Sequence, residues 1–339
     1  MADRLTETAT ALVAENRGIL AADESFPTIE KRFTSIDIES TEENRRAYRD
    51  MLFGTDGLEQ FISGVILFDE TLRQSALDGT PFAKALSTRG IIPGIKVDKG
   101  AKALANFSGE QVTEGLDGLR DRCSEYVSLG ARFTKWRAVI TIGDGIPTDF
   151  CIRANAHALA RYAALSQEAG MVPIVEPEVL MDGTHTIDEC ADATKRTLTT
   201  LFSELDDHRV KLPGTLLKTN MVLSGKDAAQ QASVDEVARR TVEVLQATVP
   251  ADIPGVVFLS GGQSDELATA HLNAMNKLGD HPWALSFSYG RALQAPSLKA
   301  WKGEPSNVEA GQKALYHRAR LNAAACAGSY TDEMENEAA

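Results

Sequence analysis

The sequence predicts an α/β protein folded as a single (β/α)8 TIM barrel with a short acidic C-terminal tail. Short apolar, β-rich runs alternate with longer helical patterns, and there are eight such runs in 339 residues. The polar residues at the ends of these runs recur at a nearly constant interval. Lys96 to Lys135 is 39 positions, Lys135 to Glu176 is 41, and both Glu176 to Lys218 and Lys218 to Ser260 are 42. No matching similarity relates the units, so the interval is an architectural period and not a sequence repeat. The barrel is expected to span residues 1–328 and a flexible tail 329–339, where "YTDEMENEAA" carries four acids and no base.

The elements follow in order. "GILAAD", "GVILFDE" and "GIKVD" are the first three strand runs, and "FTKWRAVI" is the fourth. "CIRANAHALARYAALSQEAG" has the apolar spacing of a helix and is stopped by Gly170. "MVPIVEPEV" and "TLLKTNM" are the fifth and sixth strands, and the amphipathic stretch from Asp235 to Leu245 is a helix after them. "GVVFLSGG" and "WALSFSYGR" complete the eight. Strands that alternate with helices pair in parallel, and eight such units suggest closure.

Composition narrows the function. A chain that is 43% hydrophobic and 24% charged is globular, and a net charge of -13 argues against nucleic acid or an anionic membrane as the main partner. Four scattered cysteines, with no CxxC pair, favour a reducing compartment, and the cytoplasm is expected. The polar N-terminus lacks the apolar core of a signal peptide, and no run is long enough to span a membrane. "LSGGQS" matches neither GxGxxG nor a P-loop, so no nucleotide cofactor is expected. His157, His185, His208, His271, His281 and His317 fall outside the strand ends. They read as surface or helix residues, and no metal is expected.

The strand ends carry the chemistry. Side chains two apart share a face of a strand, which pairs Lys96 with Asp98, Lys135 with Arg137, Glu176 with Glu178, and Ser286 with Ser288. With Asp23 and Lys218 they form an inward ring in which Lys96, Lys135, Arg137 and Lys218 face Asp23, Asp98, Glu176 and Glu178. One charge at a strand end is usually solvated or structural, but eight in register at the end where barrels place their active sites point to function. A purely structural ion-pair network is the plainer alternative.

Lys218, in "GTLLKTNM", follows an apolar run and lies beside the cations Lys135 and Arg137. Apolar surroundings and a second cation favour the free amine of a lysine, a nucleophile towards carbonyls. The iminium that results is an electron sink for carbon-carbon bond cleavage, and Glu176, Glu178 and Asp23 can move the protons. The small residues of "LSGGQS", with Arg291 of "SYGR", suit a phosphate at the loops after the last two strands. In "DESFPTIEKR", Ser25, Thr28, Lys31 and Arg32 suggest a second phosphate site on the opposite side of the mouth.

These residues make the chain resemble class I fructose-bisphosphate aldolases. The resemblance runs through "GILAADES", "TEENRRAYR", "GVILFDETL", "GIKVDKG", "FTKWRAV", "PIVEPEVL", "GTLLKTNM", "FLSGGQS", "WALSFSYGRALQ" and "LKAW", in order over nearly the whole chain. It implies reversible cleavage of fructose 1,6-bisphosphate to dihydroxyacetone phosphate and glyceraldehyde 3-phosphate, without cofactor or metal, in a homotetramer. By the same resemblance Lys218 is the Schiff-base lysine, Glu176 the acid/base for carbinolamine dehydration, and Asp23 the acceptor of the C4 hydroxyl proton. Lys135 would stabilise charged intermediates and Glu178 orient the lysines. Ser260, Gly261, Gly262 and Arg291 match the 1-phosphate cradle, with Ser288 and Gly290 as further substrate contacts. Ser25, Thr28, Lys31, Arg32, Lys96 and Arg137 match positions near the other phosphate and the hydroxyls.

The chain departs from the family pattern at "DESFPTI", at Thr219, where proline is common, and at the tail, which lacks the terminal tyrosine used by many members for proton transfer. A transaldolase, a deoxyribose-phosphate aldolase or a barrel that has lost its chemistry are the competing expectations.

Overall fold

A computed structural model describes residues 2–337. Eight parallel strands close into a barrel in the order β1-β2-β3-β6-β7-β8-β9-β10. They are β1 (Gly18–Ala22), β2 (Ile62–Leu67), β3 (Ile92–Lys96), β6 (Phe133–Ile140), β7 (Val172–Val179), β8 (Leu216–Thr219), β9 (Gly255–Phe258) and β10 (Ala284–Tyr289). All eight fall on the runs read from the sequence. A small antiparallel hairpin, β4 (Ala101–Ala103) and β5 (Gln111–Thr113), follows β3 and was not foreseen, because three-residue strands are too short to show a period.

The helices in chain order begin with α1 (Ala2–Leu12), α2 (Phe26–Thr34), α3 (Glu42–Phe53), α4 (Asp69–Arg73), α5 (Phe82–Thr88) and α6 (Leu119–Ser128). They continue with α7 (Asp149–Glu168), α8 (Ile187–Asp207), α9 (Val234–Thr248), α10 (Asp265–Lys277), α11 (Arg291–Trp301) and α12 (Val308–Cys326). Local chemistry sets several starts. The Thr148, Ser233 and Ser264 hydroxyls accept the N–H groups of Cys151, Glu236 and Leu267, and Thr186 with Glu189 forms a full capping box. Each such cap is worth about 1 kcal/mol.

The inward face of the strands changes character along its length. At the base of the barrel it is apolar, with Ile19, Ile66, Phe133, Val172, Ile174, Leu216 and Val257 packed together. Two residues further along β6 and β8 the same face presents Lys135 and Lys218, and β7 presents Glu176. Leu5, Ala9, Leu12 and Val13 of the α1 region join the apolar cluster and close the base. The aromatic ring of Phe133 fits because Gly94 has no side chain, a Cβ there coming within 2.3 Å of it. The site is therefore set on a dry floor, open only at the C-terminal ends of the strands.

The tail differs from the mobile segment expected. Tyr330 is 3% exposed; its N–H donates to Asn273 Oδ1 at 3.0 Å and its hydroxyl donates to Glu335 Oε1 at 2.9 Å. Arg318 pairs with Glu335 at 2.6 Å and Arg320 with Glu337 at 2.8 Å. Two of the four acids that made this segment read as solvated, Glu335 and Glu337, are thus answered by arginines of α12. Ala338 and Ala339 lie outside the described residues.

Candidate active site

The C-terminal ends of the strands surround a cavity of about 910 Å3. Nine basic and seven acidic side chains line it, so it is locally cationic in a protein of net charge -13. That contrast suits an anionic ligand.

At its floor four ionisable groups form a chain of contacts. Lys218 Nζ lies 3.1 Å from Glu176 Oε1. Lys135 Nζ lies 3.3 Å from the other Glu176 oxygen and reaches across the barrel to Asp23 Oδ2 at 2.6 Å. All four are nearly or fully buried. Burial opposes the ionised form of Asp23, but the cations of Lys135, Lys218 and Lys96 overcome it and hold the carboxyl at about 2. Glu176 is likewise held below its ordinary value, burial being outweighed by Lys135, Lys218 and Arg137. Lys135 moves the other way: burial disfavours its charge, yet Asp23, Glu176 and Asp98 push its proton affinity well above that of an ordinary lysine.

Above this floor Arg137 pairs with Glu178, and Lys96 with Asp98. Burial lowers the proton affinity of Arg137, and Glu178 more than restores it. The Asp98 carboxylate also accepts the Arg137 backbone N–H at 3.2 Å, which ties the end of β3 to β6. Ser288 Oγ is buried, lines the cavity and has no hydrogen-bond partner, a donor open to a ligand.

Ser260, Gly261, Gly290 and Arg291 line the rim where α11 begins. A helix N-terminus beside a small-residue loop attracts anions through its free N–H groups. Arg291 Nη2 donates to the Gln263 carbonyl at 2.5 Å, which joins the two loops. Ser25 and Thr28 hydroxyls lie 3.2 Å apart at the start of α2, and Arg32 is held from behind by Glu24. Glu24 is buried and also pairs with Arg49.

Most residues expected at the site therefore meet there, with three corrections. Lys31 is exposed and does not line the cavity, because on α2 it falls off the face shared by Thr28 and Arg32. Gly262 does not line it either; its N–H points to Met181 Sδ at 2.8 Å. Finally, β1 pairs directly with β10, so Ser25, Thr28 and Arg32 are next to the Arg291 rim and not opposite it. The strand facing β9 across the barrel is β3, which carries Lys96. Arg73, Lys99 and Arg122 also line the cavity; they come from loops and outer helices, where strand alternation gives no signal. No histidine does so among the described residues.

Comparison with known proteins agrees with this geometry. The profile of the family described as "Fructose-bisphosphate aldolase class-I" matches residues 4–339. A "Probable fructose-bisphosphate aldolase class 1" of Xanthomonas campestris pv. campestris is 59% identical over 329 residues, covering 97% of this chain and 98% of the relative. The fructose-bisphosphate aldolase of Dictyostelium discoideum is 53% identical over 98% of this chain and 94% of its own. The solved structure of Plasmodium falciparum fructose-bisphosphate aldolase, in complex with TRAP and a small molecule inhibitor, superposes with a TM-score of 0.96 at 51% identity. That match covers 97% of this chain and 96% of the other. With barrel, cationic cavity and full-length similarity in agreement, this chain belongs to the class I fructose-bisphosphate aldolase family.

Proposed function

We propose that Lys218 is the nucleophile with which this enzyme cleaves fructose 1,6-bisphosphate, and that Glu176, Lys135 and Asp23 move the protons. The observation that carries the assignment is the contact chain Lys218–Glu176–Lys135–Asp23 at 3.1, 3.3 and 2.6 Å. The Lys218 amine adds to the C2 ketone, having passed a proton to Glu176. Glu176 then protonates the carbinolamine hydroxyl, water leaves, and an iminium remains. Asp23 takes the C4 hydroxyl proton, the C3–C4 bond breaks, and its electron pair enters the iminium to give an enamine and the free aldehyde. Protonation of the enamine at C3 and addition of water release dihydroxyacetone phosphate and restore the amine.

Asp23 is ionised at neutral pH but is a weak base while Lys135 holds it. Proton transfer therefore requires that Lys135 turn from Asp23 towards substrate oxygen as the ligand binds. The Tyr330 hydroxyl is committed to Glu335 and does not line the cavity. In our reading Glu176, or the phosphate of the bound triose, protonates the enamine.

The 1-phosphate sits between Ser260, Gly261, Gly290 and Arg291, and the other phosphate between Ser25, Thr28 and Lys96. Arg291→Ala should weaken dihydroxyacetone phosphate binding by ten- to a hundredfold, the loss of one charge-assisted donor of about 1.5–3 kcal/mol. Calorimetric titration checks this, and unchanged affinity would place the phosphate elsewhere. The family reading extends to a cytoplasmic homotetramer. Two Arabidopsis thaliana relatives described as cytosolic and three buried free cysteines support the location, and the tetramer rests on the family resemblance alone. Sedimentation of the 36.6 kDa chain as a species of one subunit instead of four would overturn the tetramer.

A further inference from the structure

We propose that His157, Glu204 and His208 bind one divalent transition-metal ion, of the zinc or nickel type, on the outer surface of the barrel. None of the three lines the catalytic cavity. The site bridges two helices: His157 projects from α7, Glu204 lies in the last turn of α8, and His208 caps that helix. Glu204 and His208 are four apart and so share one helix face. His157 Nδ1 is 3.0 Å from Glu204 Oε2, and the His208 ring lies beside the same carboxylate. One donor atom from each of the three residues lies within 4.8 Å of the others.

Two further features favour a metal over a simple hydrogen-bonded cluster. The first is the tautomer of His208. Its Nδ1 is 2.8 Å from the Glu204 carbonyl oxygen, which can only accept, so Nδ1 carries the proton and Nε2 keeps its lone pair. Metal-ligating histidines are commonly oriented in this way, with the other ring nitrogen donating to a backbone carbonyl. The second is the charge of Glu204. Its side chain is only 19% exposed, yet among the described residues its ion-pair partners are the two imidazoles and no lysine or arginine. By contrast Glu24 and Glu70 each have an arginine, while the buried Glu110 is held by the N–H and hydroxyl of Thr148. A carboxylate partly withdrawn from water, with two imidazoles beside it and no lysine or arginine, is a place where a divalent ion would add positive charge.

Two imidazoles and one carboxylate are a donor set for zinc, nickel or copper, whereas calcium and magnesium prefer oxygen alone. The rings meet edge to face, with centroids 4.8 Å apart and planes at 69°. Metal bonds of about 2.0–2.2 Å require the donors to close in from their present separations of up to 4.8 Å. Water would fill the remaining positions. A bound ion would pin the end of α8 to α7 and, by binding only the folded chain, raise its stability.

The test uses the full chain without a histidine tag, stripped with EDTA and dialysed. Zinc chloride, and then nickel chloride, is titrated by calorimetry and the unfolding temperature is followed. We expect saturable binding of about one equivalent, a higher unfolding temperature that EDTA reverses, and at least about tenfold weaker binding in both His157→Ala and His208→Ala. His317→Ala should bind as the unaltered chain does. Aldol cleavage should be the same with and without metal, which separates this site from the catalytic one. Absence of saturable binding, or binding unchanged in the His157→Ala and His208→Ala variants, would overturn the proposal.

Discussion

Lys218→Arg is expected to abolish cleavage, lowering kcat by more than about four orders of magnitude, or at least about 5 kcal/mol on the barrier. A guanidinium stays protonated at any working pH and cannot add to a carbonyl. The alternatives within reach are poorer nucleophiles for reasons visible in the site. Lys135 is clamped between Asp23 and Glu176, which hold its proton firmly, and Lys96 is paired with Asp98. Lys218 has one carboxylate neighbour within ion-pair distance, Glu176, on the buried floor of the cavity and placed to take its proton, whereas Lys96 is held by both the carboxylate and the backbone carbonyl of Asp98. Borohydride reduction in the presence of dihydroxyacetone phosphate, followed by peptide mapping, should label Lys218 in the unaltered chain. Label on Lys96 or Lys135 with Lys218 untouched would remove the assignment.

The second large effect should separate the two carboxylates. Glu176→Gln and Asp23→Asn keep shape and lose charge, and each should slow fructose 1,6-bisphosphate cleavage by about 10^2- to 10^4-fold. They should differ in a second reaction, proton exchange from dihydroxyacetone phosphate, which has no C4 hydroxyl. Glu176→Gln should depress exchange along with cleavage, while Asp23→Asn should leave exchange nearly intact. Equal loss of both activities in both variants would mean that Asp23 acts through the ion-pair network and not on the C4 hydroxyl. Acid stability gives an independent reading. A carboxyl at about 2 in the folded chain, against an ordinary 3.8, stabilises the fold above about pH 4 and loses that contribution as pH falls towards 2. The size is about 2 kcal/mol, and Asp23→Asn should flatten this part of the acid unfolding curve.

The sequence made the barrel legible because several strands obey two constraints at once. Outward residues pack under helices, and in β3, β6, β7 and β8 the inward residues pass from apolar to ionisable within one strand length. The runs at 133–140 and 172–179 show both, and they hold Lys135, Arg137, Glu176 and Glu178 in place. Where a residue leaves the strand, sequence proximity stops fixing direction. Thr28 and Arg32 reach the cavity while Lys31, between them, points to solvent, and Gly261 reaches it while Gly262 turns to Met181. Glu24 follows Asp23 in the chain and also borders the cavity, but its role in holding Arg32 depends on Arg49 and Gln294, far off in sequence. The tail misled for a related reason: its acids signal solvation until the arginines of α12 are known to lie beneath them.

The helix that seals the base of the barrel governs the order of traffic. A chamber with one doorway must load and empty by the same route, and in the proposed reaction the ketose half of a cleaved sugar is tethered to the floor at Lys218. The aldehyde half therefore departs first, past the loops that held its phosphate, and only then can water reach the tethered carbon and free the remainder. Run in reverse, the triose that becomes tethered must enter before its partner, since a molecule of aldehyde already in the passage would bar its way.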